Sequence, residues 1–276
     1  MSSVYWEEKW KEKFRERKAK IKANPKIDYW DKRAKDFSKM RKSNDYDFGR
    51  KVQQALNDII TSESSVLDIG AGPGSFVIPF AKKAKWVTAL EPSKEMIKIL
   101  QENAKEKEIS NFDIIENVLE DVPSESIKNK YDLVTVSLVL WMFEDVWPEI
   151  LKMEEISKKY CAIIASIPTD GKSYDKIKES IGVRKNKVDF DEFQVLFNLL
   201  FAKGRCPNVT MIDYRCERSI EDEISCQKIM TEEYDEKVTP EIEEKIREAV
   251  EKNAIDGKCL VSSKSAVIWW NKENII

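Results

Sequence analysis

The sequence predicts an α/β protein, a doubly wound parallel sheet with helices on both faces. Three observations carry that expectation. Short apolar runs alternate with helix-period segments from 65 to 167. The first run enters a glycine-rich loop, "VLDIGAGPG" at 66–74, in a chain with only 8 glycines among 276 residues. The second run ends on an acid, Glu91, roughly 20 residues beyond Gly70, the spacing at which such folds hold a ribose.

The elements follow in order. "YWEEKWKEKFRERKAKIK" opens the chain, and Trp6, Trp10 and Phe14 fall four apart on one helical face. That face is expected to pack on the body, and it is also a candidate surface for a protein partner or a second copy of the chain. "NPKIDYW" breaks this helix at Pro25, and a second helical stretch is expected over about 28–60. "SSVLDIG" reads as a buried parallel strand, "GSFVIPFAKKA" as a helix and "WVTALEP" as a strand. "SKEMIKILQENAKEKEI" is a helix capped by Ser93, with Met96, Ile97 and Leu100 facing inward. "FDIIENV", "YDLVTVSLVLW" and "YCAIIASI" supply three more strands, with "EDVWPEILKMEEIS" as a helix between the last two.

After 167 the alternation stops. Helical insertions are expected at about 168–207, with the apolar run "FQVLFNLLF", and at about 221–254. In the second, "PEIEEKIREAVEKN" begins after Thr239 with Pro240 at its first position. "NVTMIDYRCERSI" and "CLVSSKSAVIWWN" read as strands whose pairing is inferred across the helical segment between them. The expected organisation is N-terminal helices over 1–60, serving as a lid or partner surface, and one catalytic-type domain over 61–276.

Composition narrows the chemistry. The chain has no histidine, which excludes His-based acid–base catalysis, Ser–His and Cys–His nucleophiles, and most zinc sites. Its 5 cysteines form no CxxC pair and are expected as free thiols. No metal set is expected. A net charge of −3 argues against broad nucleic-acid binding. No apolar stretch is long enough for a bilayer, and "MSSVYWEEKW" lacks a signal-peptide core, so a cytoplasmic protein is expected.

Strand, glycine loop and helix place free backbone N–H groups at the carboxyl edge of the sheet, where doubly wound folds bind ligands. A dinucleotide fingerprint, GxGxxG or GxGxxA, is missed here because Ser75 stands at its third position. The alternative pattern, an acid followed by GxGxG, is filled by Asp68, Gly70, Gly72 and Gly74. It suits an amino-acid tail with its ammonium better than a pyrophosphate.

On these motifs the sequence resembles the class I S-adenosylmethionine-dependent methyltransferases over about 65–167. "VLDIGAGPG", "ALEP", "VLEDVP" and "YDLVTVSLVLWM" are similar to that family's successive motifs and occur in its order. The resemblance implies a Rossmann-like fold with a mostly parallel seven-stranded sheet, S-adenosylmethionine as cofactor, and methyl transfer as the reaction. It implies that Asp68, Gly70, Ala71, Gly72 and Gly74 approach the methionine part and that Glu91 binds the ribose beside Pro92. Met96 would pack on the adenine, and Glu120 or Asp121 would meet its amine. Ser137 ends the fourth strand, whose end faces the reaction. "YWDKRAKDF" resembles the lid helices of small-molecule methyltransferases, which makes Tyr29, Trp30 and Phe37 candidates for closing over the cofactor. Two further readings stand beside this one: a cofactor-binding subunit acting through a partner, and an NAD-dependent oxidoreductase.

For the acceptor, "SLVLWMFED" replaces the Asn/Asp–Pro–Pro–aromatic sequence of enzymes that methylate nucleobase amines or protein glutamine. It resembles small-molecule enzymes with an apolar, aromatic-walled pocket, and Trp141 and Met142 are the candidate wall residues. Cys206, Cys216 and Cys226 raise a weaker idea, a thiol site as in arsenic methyltransferases. Phe190, Phe193, Phe197 and Phe201 mark a candidate cover over the acceptor site.

Overall fold

The computed structural model describes residues 1–20, 27–168, 191–232 and 237–275. Five strands run parallel: β1 (Ser65–Ile69), β2 (Trp86–Leu90), β3 (Phe112–Ile115), β4 (Tyr131–Ser137) and β5 (Ser157–Ile167). β6 (Asn208–Ser219) and β7 (Lys258–Asn271) pair antiparallel with each other, and β7 is antiparallel to β5. The sheet order is β3-β2-β1-β4-β5-β7-β6. The chain reverses its direction of travel between β1 and β4, so the crevice for a ligand opens above those two strands.

Parallel strands are covered on both faces, which explains why they read as apolar runs. Val66 and Leu67 on β1, and Leu133 and Val134 on β4, are fully buried. One helical layer packs Trp10, Met153 and Leu199, with Trp270 of β7, around Leu67 and Val134. The opposite layer packs Phe48, Val52 and Phe80, with Tyr214 of β6, around Val66 and Leu133.

The helices are α1 (Ser3–Lys20), α2 (Ile27–Lys42), α3 (Asp47–Ala55), α4 (Val77–Ala81), α5 (Lys94–Glu106), α6 (Ser124–Ile127), α7 (Val146–Ile156), α8 (Glu192–Ala202), α9 (Ile220–Glu232) and α10 (Pro240–Asn253). The expected helix over 28–60 is two helices, α2 and α3. Asp45 and Tyr46 take left-handed backbone between them, at φ 50° and 58°. On α5 the inward residues are Met96, Ile99 and Leu100, while Ile97 is only half-buried. Ser93 caps that helix as expected, accepting from the Met96 amide at 3.1 Å.

Helix α8 accounts for the described part of the first insertion; 169–190, with Phe190, lies outside the described residues. The last strands pair despite the helices α9 and α10 between them. Beyond the pair Ile167–Lys264, where β5 stops, β6 and β7 continue together to Ser219–Lys258. This extension overhangs the carboxyl edge, with α9 and α10 packed around Ile224, Ile246 and Cys259. The outer edge of β6 is partly occupied: Asn44 donates to the Arg215 carbonyl at 2.7 Å and Lys51 to that of Asp213 at 2.8 Å.

Candidate functional site

The glycine loop is held mainly by the protein itself. Gly70, Gly72 and Gly74 all have left-handed φ, at 69°, 54° and 90°, a region glycine enters without strain. A Cβ at Gly70 would stand 2.5 Å from Val139 Cγ2. One at Gly74 would stand 3.3 Å from both Ile78 and Leu100. At Gly72 the nearest atom is Met96 Sδ at 3.9 Å, an ordinary contact, so this position is the least crowded of the three. Helix α3 presses on the loop from outside, because a Cβ at Gly49 would lie 2.1 Å from the Ser75 carbonyl oxygen. Ala71, beside Gly72, is buried.

Glu91 organises the neighbouring turn. Its Oε2 accepts from the Gly72 amide at 2.8 Å and its Oε1 from the Ser93 amide at 2.9 Å. Burial pushes its carboxyl above the ordinary range, against these two bonds. Each oxygen keeps a lone pair, so ribose hydroxyls could be held by a carboxylate already aimed by the backbone. Pro92 follows, half-buried.

Helix α2 lies against this turn. Ser93 Oγ hydrogen-bonds Asp31, and the Glu95 amide donates to the same Asp31 oxygen at 3.4 Å. Trp30 and Phe37 pack on the cluster of Ala34, Met96 and Ile99, which places two of the three lid candidates beside the expected adenine platform. Tyr29 turns the other way: its ring meets Trp30 edge-on at 5.1 Å and its hydroxyl accepts from Arg33 at 3.1 Å. Asn103 ties the parts together, donating at 2.9 Å to both Ser38 of α2 and the Pro73 carbonyl of the loop.

Asp68 is fully buried at the end of β1. Its Oδ1 accepts from Thr135 Oγ1 at 3.2 Å, while its Oδ2 is buried with no partner. Burial is the largest cause that pushes this carboxyl up to about 8, with Glu91 adding to it. A buried carboxylate oxygen without a donor is unfavourable unless a ligand supplies one, and an ammonium would satisfy both charge and hydrogen bond. The donor set therefore fits the amino-acid tail anticipated for this loop.

The end of β4 is built differently. Ser137 is half-buried, and Leu138 takes a left-handed φ of 55°, which is strained for a leucine. That kink sends Val139 over Gly70 and turns the Leu138 carbonyl to accept from Trp141 Nε1 at 2.7 Å. Helix α1 crosses this loop. Trp10, 1% exposed, donates its Nε1 to the Phe143 carbonyl at 2.9 Å. Arg17 lies 3.6 Å over the Trp141 ring. Arg15 pairs with Glu144 at 2.9 Å and Lys11 with Asp145 at 3.0 Å. Trp10 of α1 is thus spent on its own chain, while Trp6 and Phe14 on the same face are half-buried.

Glu120 and Asp121 are both exposed, with Leu119 and Val122 buried on either side. Trp141 and Met142 lie half-buried in a short 3-10 turn. The thiol idea fails: Cys216 and Cys226 are buried, Cys206 is half-buried, and among the described residues no group of Cys and acids is arranged for a metal. Phe193 and Phe197 pack on the core and Phe201 is exposed, so the stripe is largely packing. Sequence reasoning missed Asp31, Thr135, Asn103 and Arg17, which act across elements far apart in the chain.

Residues 66–155 match the family model described as a methyltransferase domain. An uncharacterised protein of Haemophilus influenzae is 22% identical over 258 residues, spanning 89% of this chain and 90% of its own. The 23S rRNA uracil methyltransferase RlmD of Aliivibrio fischeri is 38% identical over 77 residues, 28% of this chain and 18% of that protein. Among solved structures, a candidate methyltransferase of Bacillus halodurans superposes with a TM-score of 0.55 at 14% identity, covering 81% of this chain and 98% of that one. YcgJ of Bacillus subtilis gives 0.53 at 15% identity, covering 80% and 97%. At such identities these likenesses concern the fold.

Proposed function

We propose that this chain, whose residues 66–155 match a methyltransferase-domain model, is a class I S-adenosylmethionine-dependent methyltransferase and that its methyl acceptor is a small molecule. The observation that supports this reading is the helix across the β4 loop: Trp10, Arg17 and the ion pairs of α1 lie against residues 141–145, next to the candidate acceptor residues Trp141 and Met142. The cations Lys11 and Arg15 face carboxylates of the same chain rather than standing ready for phosphates.

S-adenosylmethionine, when bound, supplies a methyl group on a positively charged sulfur. The protein's part is alignment and exclusion of water, and a displacement from such a leaving group needs no histidine. In this reading Asp68 receives the ammonium, Glu91 holds the ribose, and the backbone from Gly70 to Gly74, whose amides already donate to Leu90, Glu91 and Ala71, lines the methionine tail by shape. Met96 carries the adenine under Trp30 and Phe37. Glu120 and Asp121, being exposed, would reach the amine only from the rim. Ser137, Trp141 and Met142 face the acceptor. We further read 1–60 as a lid built into the domain, and the cytoplasm as its compartment.

The test is calorimetry with S-adenosylhomocysteine and with NADH, followed by label transfer from S-adenosylmethionine to small-molecule extracts and to ribosomal RNA. Micromolar binding of S-adenosylhomocysteine and labelling of small molecules are expected. NADH binding in its place would overturn the cofactor assignment, and labelling of RNA alone would overturn the acceptor class.

A further inference from the structure

Three arginines are buried together where α2 meets the overhanging part of β6 and α9. Arg33 is 7% exposed, Arg41 6% and Arg218 8%. Arg33 donates to the Tyr29 hydroxyl and to Asp36, each at 3.1 Å, and touches Cys226 Sγ at 3.6 Å. Arg218 pairs with Glu223 at 3.2 Å and reaches Asp36 at 3.9 Å. Arg41 lies over the rings of Phe37, Phe48 and Tyr214, at 4.8, 4.7 and 5.0 Å.

The cluster is unbalanced. Arg33 and Arg218 face two carboxylates, Asp36 and Glu223, while among the described residues Arg41 pairs with no carboxylate and lies against rings. The adjacent Lys39–Asp222 pair is neutral in itself and leaves the excess unchanged. Cys226 does not serve as the missing anion, because burial pushes its thiol up and keeps it protonated. The Nε atoms of all three arginines are buried without a hydrogen-bond partner. An unpaired buried cation is unfavourable, and a methionine in the ring cage around Arg41 would pack without that penalty. Guanidinium N–H groups match the oxygens of carboxylates and phosphates.

We propose that Arg33, Arg41 and Arg218 form a buried site for one compact oxyanion, either free phosphate or the acid group of a larger molecule. A single negative charge balances the cluster. It would also fasten α2 to β6.

The test uses the full chain, with inorganic phosphate and phenyl phosphate titrated against chloride at constant ionic strength, read by melting temperature and calorimetry. Wild type and the surface control Lys39→Gln should show a saturable rise in melting temperature. Arg218→Gln and Arg41→Met should weaken phosphate by about tenfold or more, the size of a lost charged hydrogen bond. Arg41→Met should melt no lower than wild type without phosphate, so it carries the test if Arg218→Gln fails to fold. Response to phosphate alone assigns a free anion, and response to both probes assigns the acid group of a larger molecule. No saturable response in wild type, or an equal one in the arginine variants, overturns the site. S-adenosylhomocysteine binding measured in the same samples separates this outcome from failure of the methyl-transfer reading.

Discussion

The carboxylate of Glu91 holds the Gly72 amide at 2.8 Å, so the acid that ends β2 sets the conformation of the loop that follows β1. The same side chain holds Ser93, and Ser93 holds Asp31 of α2. The glycine loop, Glu91 and α2 form one hydrogen-bonded series.

Changing Glu91 to Ala therefore has two effects. Affinity for S-adenosylhomocysteine should fall by about 1.5–3 kcal/mol, and the urea midpoint should fall as well, because two backbone amides lose their acceptor. Calorimetry and urea titration separate these effects. Unchanged affinity would remove Glu91 from the site.

Asp31→Ala cuts the series at α2. The expected result is faster release of S-adenosylhomocysteine with little change in urea stability, followed through Trp30 fluorescence in stopped flow. Release at the wild-type rate would mean that the Asp31 link to Ser93 does not govern release.

Gly70→Ala should destabilise the fold by about 1–3 kcal/mol, from overpacking against Val139 and from the left-handed backbone. Adding Val139→Ala should recover the steric part and leave the conformational part. If the double variant is as unstable as the sum of the singles, the contact with Val139 is not the cause.

Burial raises Asp68 from an ordinary 3.8 to about 8. As pH rises the unfolded chain releases this proton first, and ionisation then favours the unfolded state. Its contribution to the stability of the unliganded protein is complete below about pH 4 and is lost as pH climbs through about 8. Asp68→Asn should flatten this part of the urea-stability profile and weaken S-adenosylhomocysteine. Glu91 and Glu192, raised by burial too, should leave a residual slope. An unaltered profile in the variant would show that Asp68 ionises normally.

Trp10→Ala should cost about 3–5 kcal/mol, as expected for a large buried aromatic. Arg17→Ala, which removes the group over Trp141, should leave S-adenosylhomocysteine affinity intact and lower the rate of label transfer. Equal transfer by wild type and variant would detach α1 from acceptor handling.

The parallel core was legible because its signals are local: apolar runs, turn glycines and a Ser93 cap each lie within a few residues. The division of 28–60 was not, since Asp45 and Tyr46 enter left-handed backbone without a glycine to announce it. Glu91 was found by its distance from Gly70. Asp31, Thr135 and Arg17 were not, because their partners are fixed by packing between elements and leave no pattern along the chain. The "YWDKRAKDF" segment was read for its aromatics, yet Asp31 within it makes the polar link to the cofactor turn.

The packing around the glycine loop changes what the motif certifies. Gly70 and Gly74 are demanded by Val139, Ile78 and Leu100, neighbours that remain whether or not a cofactor is present. A descendant that had abandoned methyl transfer would still need both to fold. At Gly72 no neighbour crowds the position, yet its left-handed φ of 54° would strain any side chain there, so a cofactor need not be the reason for that glycine either.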